Sequence, residues 1–310
     1  MTTAPQVSGE VCPTAAAESL VELLARRLAE QADEPAILVP AASRIFPAPS
    51  AAVAAGWTWR ELIASALAVA ESLEAEGLTR GRRLVHLGPQ SADWLVVDLA
   101  CLLAGVVHVA VHAEPPAGRC DVGWLGGEAV LVTGPTATTR LPEVDARIID
   151  WRAAAACHLL STGRLAAAAD LEQRLAKRRA ATDPDAVATI LLSSGTTGRP
   201  RGVLHTQRGL AANATAAASI FLDEPHDVRL AWLPASHALS RVGDLYSCLV
   251  RGGCLAVVED RQRVLEAAVE AKPAVILGVP AFFDRLQRAV ATGRIERLSA
   301  ALGGRVRVCI

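Results

Sequence analysis

The chain has 310 residues, a formal net charge of −1 and 52% hydrophobic residues. That length carries one to three domains at roughly 150 residues each and leaves room for a large core. Near-neutral charge argues against a nucleic-acid footprint, and the short basic run Lys177, Arg178 and Arg179 reads as a solvated helix face.

The seven cysteines, Cys12, Cys101, Cys120, Cys157, Cys248, Cys254 and Cys309, form no C-x-x-C pair, and most stand among apolar neighbours. This is the usage of a reduced, cytoplasmic chain with buried thiols, not of a zinc site or a disulfide framework. Met1 to Pro13 is small and polar, without the charged and apolar regions of a signal peptide. The longest apolar run, Leu95 to Val111, is interrupted by Asp98, Gly105 and His108. It also falls short of the ~20 residues a bilayer needs, so it reads as a buried helix followed by a strand.

In chain order, a helical pattern opens near Glu18, with Leu20, Leu24 and Leu28 on one face. Residues 40–56, rich in Ala, Pro and Ser, read as a loop. A second amphipathic helix runs from Arg60 to Glu76, with Thr58 as N-cap and Gly77 as its stop. A strand is expected at Leu84–Leu87, a helix at Asp93–Ala104 closed by Gly105, and strands at Val106–Val111 and Ala129–Thr133. Arg152–Ala181 is helical, Ala/Arg-rich and suited to a surface connection. Strand Ala186–Leu192, a Gly/Ser/Thr loop and a helix over Thr206–Phe221 follow. The rest alternates: strand Arg229–Leu233, helix Arg241–Val250, strand Cys254–Val258, helix Arg261–Ala271, strand Ala274–Gly278 and helix Ala281–Ala291. Such alternation predicts an α/β fold with a largely parallel sheet. Residues 1–182 are expected to form one α/β subdomain and 183–310 a second. Val306, Val308 and Ile310 alternate with Arg305, Arg307 and Cys309, a strand in mid-course, so the sequence reads as truncated at its end.

The most informative segment is Leu191 to Val203, LLSSGTTGRPRGV. An apolar strand runs into a turn in which Gly195, Gly198 and Gly202 let backbone N–H groups face an anion. Ser193, Ser194, Thr196 and Thr197 add hydroxyl donors, and Arg199 and Arg201 add positive charge. A helix close behind would contribute its N-terminal dipole. The bland reading is a solvent-exposed loop, which glycine and hydroxyl clusters usually mean. It is not a Walker A loop, because the G-x-x-x-x-G-K-[ST] spacing is absent.

This string resembles the phosphate-binding signature of the adenylate-forming superfamily of acyl-CoA synthetases, luciferases and peptide-synthetase adenylation domains. The resemblance carries phosphate binding onto Ser193, Ser194, Gly195, Thr196, Thr197, Gly198 and Gly202, with Pro200 in the motif. The family usually has lysine where this chain has Arg201, in a sequence whose only lysines are Lys177 and Lys272. Arginine keeps the charge but is bulkier and not equivalent. Further likenesses run along the chain. Thr58 to Leu62 resembles the T-x-x-E-L helix start, Gly81 to Val85 the G-D-R-V strand entry with Arg82 where an acid is usual, and Trp94 to Gly105 the following helix. The proline the family usually has near Ala110 is absent. Leu233 to Gly253, LPASHALSRVGDLYSCLVRGG, resembles the L-P-x-x-H region of long-chain-type acyl-CoA synthetases, where the histidine borders the carboxylate and adenylate site; here it is His237. Arg241 reads equally as a phosphate or carboxylate partner and as a helix-surface residue. His86, His108, His112, His158 and His226 lack such context and read as satisfied polar groups. Lys272 to Arg288 resembles the strand and V-P helix near the acyl tunnel, with Phe282 and Phe283 as core.

The resemblance implies the large N-terminal region of the adenylate-forming fold, stacked α/β subdomains with mixed, mainly parallel sheets. It implies an ATP-dependent acid–CoA ligase: a carboxylic acid, fatty by the nearest resemblance, forms acyl-AMP, and coenzyme A then displaces AMP. His237 and Arg201 are the expected catalytic residues; ATP, Mg²⁺ and coenzyme A are the implied ligands, with no protein metal ligand assigned. The family's later motifs and small C-terminal domain lie beyond Ile310, so the chain by itself is expected to be inactive. Peripheral membrane contact stays open. The alternatives are an acyl- or aryl-AMP ligase that loads a carrier protein, and a non-catalytic nucleotide-binding module.

Overall fold

Helix α1, Leu20–Gln31, begins where the Ser19 hydroxyl accepts the Glu22 amide, and its apolar stripe buries Leu20, Leu23, Leu24 and Leu28. The computed structural model describes residues 19–44, 56–112, 129–132, 147–150, 168–193, 201–221 and 224–310. After α1 the chain pairs strand β1, Pro35–Leu38, with the short antiparallel strand β2, Trp57–Thr58. Neither strand carries a long enough run to announce itself in the sequence.

Helix α2, Trp59–Ala75, starts on a capping box: the Thr58 hydroxyl accepts the Glu61 amide, and the Glu61 carboxylate accepts the Thr58 amide. Strand β3, Arg83–Gly88, follows, and then helix α3, Ala92–Ala104, which is capped by Ser91 and stopped by Gly105 at φ 69°. That left-handed conformation is one glycine adopts without strain. Strands β4, Val107–His112, β5, Ala129–Val132, and β6, Arg147–Asp150, lead to helix α4, Ala168–Ala181. Strands β7, Val187–Ser193, and β8, Arg201–Thr206, form an antiparallel pair ahead of helix α5, Gln207–Ile220.

Strand β9, Val228–Ala231, leads through a turn into helix α6, Ala238–Ser240, a π-helical turn over Arg241–Tyr246 and helix α7, Ser247–Arg251. Strand β10, Cys254–Val257, helix α8, Val264–Ala271, strand β11, Val275–Ile276, helix α9, Pro280–Ala291, helix α10, Leu298–Ala301, and strand β12, Val308–Cys309, complete the described chain.

Two six-stranded sheets result, in the orders β12-β11-β9-β10-β1-β2 and β6-β5-β3-β4-β7-β8. Each is parallel except for one antiparallel edge strand, β2 in the first and β8 in the second. The α/β class and the mainly parallel sheets are therefore as the sequence pattern predicts. The sheets do not divide at residue 182, however. Strands β7 and β8 extend the sheet begun by β3, and β1 and β2 join the sheet of β9 to β12. A strand needs a partner for its backbone groups wherever that partner lies in sequence: β4 pairs with β7, and β1 with β10.

Helices α1, α2, α3, α5 and α7 share one core, to which both sheets contribute their inner faces. Alternation along β4 sends Val107, Val109 and Val111 to the opposite face of its sheet, with Val85 and Ile190. It sends His108 inward, fully buried, and the parallel register pairs Leu84 with His108 and His86 with Ala110. His86 and His108 therefore share the face that packs on helices. On the far side of the first sheet, Leu230, Ala256 and Ile276 pack with Val264, Phe282 and Leu286.

Candidate active site

The β7–β8 pair holds the ends of the glycine-threonine segment. Ser193 stands opposite Arg201, and Leu192 opposite Gly202. The Ser193 hydroxyl donates to the Arg201 carbonyl at 3.3 Å, and Arg201 is exposed. Ser194, Gly195, Thr196, Thr197 and Gly198, together with Arg199 and Pro200, lie outside the described residues. The helix expected over Thr206–Phe221 is present as α5 from Gln207, but residues 201–206, read as part of the loop, form strand β8. Hydrogen bonding to β7 holds these residues extended until Thr206 caps the helix through the Gly209 amide. Gly202 has a packing reason of its own, since a Cβ there would lie 2.8 Å from Ile190 Cγ2.

His237 occupies the N-cap of α6, on the turn beyond the carboxyl end of β9, and its side chain is exposed. The turn is closely tied. The His237 amide donates to the Pro234 carbonyl and the Arg241 amide to the His237 carbonyl, both at 3.0 Å. The Ser240 hydroxyl donates to the Leu233 carbonyl at 2.8 Å. From the other sheet, the Gln90 side-chain amide donates to the Ala231 carbonyl at 2.6 Å and accepts the Ala235 amide at 2.9 Å. One residue beyond β3 thus clamps both ends of the turn.

A cleft of about 480 Å³ opens where the two sheets meet, lined among others by Gly88, Gln90, Trp94, Trp232, Ser236 and Arg261. These residues follow the carboxyl ends of β3, β9 and β10 or stand at the start of α3. Ligands of open parallel sheets bind at that end. Because β3, β4 and β7 are parallel, Ser193 leaves its sheet at the same end as Gly88. The Trp232 indole N–H donates to the Leu277 carbonyl at 2.7 Å, and its ring lies 4.6 Å from that of Phe282. The Ser236 hydroxyl is buried in the cleft wall with no hydrogen-bond partner among the described residues.

Behind Trp94 lies a polar cluster that the sequence reading left unassembled. Arg241, there balanced between a ligand partner and a surface residue, is fully buried and ion-paired with Asp98 of α3. The π-helical turn points it into the core, and its guanidinium lies 5.4 Å from the Trp94 ring. The Tyr246 hydroxyl donates to Asp98 Oδ2 and accepts from Arg241 Nε, both at 2.9 Å. His108 Nδ1 is 2.7 Å from Asp98 Oδ1, and His108 Nε2 is 3.0 Å from His86 Nδ1.

Burial would raise the Asp98 carboxyl, but Arg241 and the hydrogen bonds from His108 and Tyr246 outweigh it and bring it down to about 2. Burial lowers both histidines, with Arg241 adding to the effect and Asp98 opposing it, so both are neutral near pH 7. Burial pushes the Tyr246 phenol up, keeping it a donor. The cluster is one ion pair among neutral groups. The one sequence signal for it was Asp98 and His108 interrupting an apolar run.

The match to known proteins is broad. The family model described as AMP-binding enzyme matches residues 24–310. The chain is 31% identical over 209 residues to the phenyloxazoline synthase MbtB of Mycobacterium sp. (strain MCS), covering 66% of this chain and 16% of that protein. It is 28% identical over 234 residues to the long-chain-fatty-acid–CoA ligase FadD15 of Mycobacterium bovis, covering 71% of this chain and 38% of that one. It therefore spans less than half the length of either relative. Among solved structures, the O-succinylbenzoate coenzyme A synthetase MenE of Bacillus subtilis, in complex with AMP, matches with a TM-score of 0.66 at 19% identity, over 86% of this chain and 64% of that chain. At that identity the likeness speaks for the fold alone. With the family model matched from the first helix to the last strand, the chain belongs to the AMP-binding enzymes, the adenylate-forming family.

Proposed function

We propose that this chain supplies the phosphate-binding and acid-binding part of an ATP-dependent acid–thiol ligase. The observation that supports the reading is that the sequence motifs lie at the carboxyl ends of strands in both sheets, beside the cleft between them. Ser193 and Arg201 frame the glycine-threonine segment, and the cleft walled by Ser236, next to His237, opens at those ends. A carboxylate held near His237 would attack the α-phosphorus of ATP, the bond to the bridging oxygen would break, and pyrophosphate would leave as acyl-AMP forms. A thiol would then attack the acyl carbon and expel AMP.

This chain's residues would do the work of positioning and charge stabilisation. Ser193, Ser194, Gly195, Thr196, Thr197, Gly198 and Gly202 would hold phosphate oxygens, and Arg201 would offset charge on the leaving pyrophosphate. The His237 ring would border the carboxylate. Among the described residues no group of three or more His, Cys, Asp or Glu side chains could hold a metal ion. Mg²⁺ would neutralise phosphate charge in such chemistry.

Coenzyme A is the first acceptor to test, in line with the CoA ligase among the relatives. A carrier-bound thiol is the second reading, favoured by the similarity to a phenyloxazoline synthase. Acid-dependent pyrophosphate release from the complete protein, measured over fatty, aromatic and small polar acids, tests the first half-reaction. No release with any acid overturns the reading. Product formation with coenzyme A against a carrier domain separates the acceptors.

A further inference from the structure

The Asp98–Arg241–Tyr246 cluster does more than fill a core. Its members come from both sides of the cleft: Asp98 from α3 under the second sheet, Arg241 and Tyr246 from the π-helical turn that follows β9 of the first. Arg241 is also the residue whose amide closes the turn onto the His237 carbonyl. Its side chain and its backbone therefore act at opposite ends of one short lever. Where Asp98 fixes the guanidinium, the carbonyl of His237 is fixed as well. A π-helical turn adds one residue to the hydrogen-bonded ring, and such turns are frequent at functional sites. This one aims Arg241 inward while leaving His237 exposed at the surface.

The same cluster backs the cleft wall. Trp94 lines the cleft on one side. On the other it stacks on His86 at 5.6 Å and lies 5.3 Å from His108, with the Arg241 guanidinium above it. Gly243, in the middle of the turn, allows close approach to Leu277, whose Cδ1 would sit 2.6 Å from a Cβ there. The turn is thus pinned on one face by ionic contacts and on another by the absence of a side chain.

We infer that Asp98, Arg241 and Tyr246 form a positioning unit that sets the His237 turn and the Trp94 wall for the acid, without themselves touching substrate. The inference deepens the adenylation reading and rests on it for the identity of the bound acid.

Tyr246→Phe is the sharpest test, because it removes two hydrogen bonds without changing shape. In the complete protein the variant is expected to lose roughly 10–100-fold in acid-dependent kcat/KM, the scale of a displaced reacting group, with KM for ATP unchanged. In a His237→Ala background the same change is expected to have a clearly smaller effect, because of the two elements the unit sets only the Trp94 wall still acts on the acid. Amide hydrogen exchange gives a readout that needs no activity. Exchange in peptides over residues 232–242 is expected to quicken in Tyr246→Phe and Arg241→Met, with Arg241→Lys nearer to wild type, while peptides over residues 62–75 stay unchanged. Exchange at the wild-type rate over residues 232–242 in a folded variant overturns the inference. So does an equal rise across all peptides, which marks a merely structural role. A wild-type protein without acid-dependent pyrophosphate release overturns the adenylation reading instead, and the exchange comparison still decides the positioning claim.

Discussion

Asp98 and Arg241, 143 residues apart in sequence, meet as a fully buried ion pair between the two sheets. Taking two charges out of water costs several kcal/mol per ion unless further hydrogen bonds complete the pair. Here Tyr246 and His108 complete the carboxylate. The Nη1 atom of Arg241 has no partner among the described residues. The pair therefore does not stand out as a net source of stability, and losing one half is worse than losing both.

Asp98→Leu leaves a buried guanidinium without its counter-ion and is expected to destabilise by about 3–5 kcal/mol. Adding Arg241→Met replaces both charges by apolar groups and is expected to recover most of that loss. Urea unfolding of the two variants measures the difference. A double variant as unstable as Asp98→Leu would show that the ion pair itself carries the stability.

The histidines give the pH dependence. His86 and His108 have folded-state values lowered from the ordinary 6.5, so the unfolded chain binds protons that the folded one refuses. Depressed groups contribute stability that is fully present above pH 6.5 and is lost as pH falls from there toward the folded values. With two such groups stability is expected to fall as pH drops below 6.5, by at most about 2.7 kcal/mol per pH unit from this pair. Among the described residues the groups facing them are Asp98, Arg241, Tyr246 and Trp94, none of which changes charge in that range. His205, lowered by burial and by Arg241, adds a smaller part. Unfolding free energies at pH 7, 6 and 5 check the slope, and His86→Gln is expected to halve it. A flat profile would contradict neutral histidines in the core.

Local rules made much of this fold legible. The Thr58–Glu61 capping box, the Gly105 stop and the alternation of strand and helix place α2, α3 and most later strands within a residue or two. What stayed hidden was long-range. Strands β1 and β2 are too short to show a period, and β8 reads as part of a loop because three of its residues, Arg201, Val203 and Leu204, are exposed. His86 and His108 looked unremarkable one at a time. Only the parallel register of β3 on β4, with Arg241 arriving from the other sheet, makes them a cluster. Of the expected site residues, Ser193, Arg201 and Gly202 have described positions at the end of β7 and start of β8 in the second sheet, and His237 follows β9 of the first; their chemical roles rest on motif and resemblance.

Gly202 separates two reasons for a glycine. A phosphate-facing backbone and close packing on Ile190 both disfavour a side chain, but only packing predicts rescue by making room. Gly202→Ala is expected to destabilise by about 1–3 kcal/mol, because its Cβ would meet Ile190 Cγ2 at 2.8 Å. Ile190→Ala loses apolar contact by itself, yet in combination it should remove much of the Gly202→Ala cost. Thermal and urea unfolding of the four proteins give the coupling energy. Strict additivity would move the glycine's reason from packing to ligand binding.

Arg201 tests the phosphate-segment reading most directly. It is exposed, stands opposite Ser193 and precedes Gly202, the place where the adenylate-forming family usually has lysine. A lysine is a flexible point charge, whereas arginine presents a rigid fork. If the side chain only offsets charge on the leaving pyrophosphate, Arg201→Lys is expected to keep or raise the adenylation rate. Arg201→Met removes the charge and should lower the rate by ~100-fold, the scale of one lost donor to developing charge, about 3 kcal/mol in the barrier. Thr196→Ala and Gly198→Val should fall in the same direction. Because Arg201 is exposed, none of its variants should change the unfolding free energy by more than about 0.5 kcal/mol, so a rate loss cannot be blamed on folding. Acid-dependent pyrophosphate release from the complete protein is the measurement. An Arg201→Met protein at wild-type rate would remove Arg201 from the chemistry, and a Gly198→Val protein at wild-type rate would remove the segment itself.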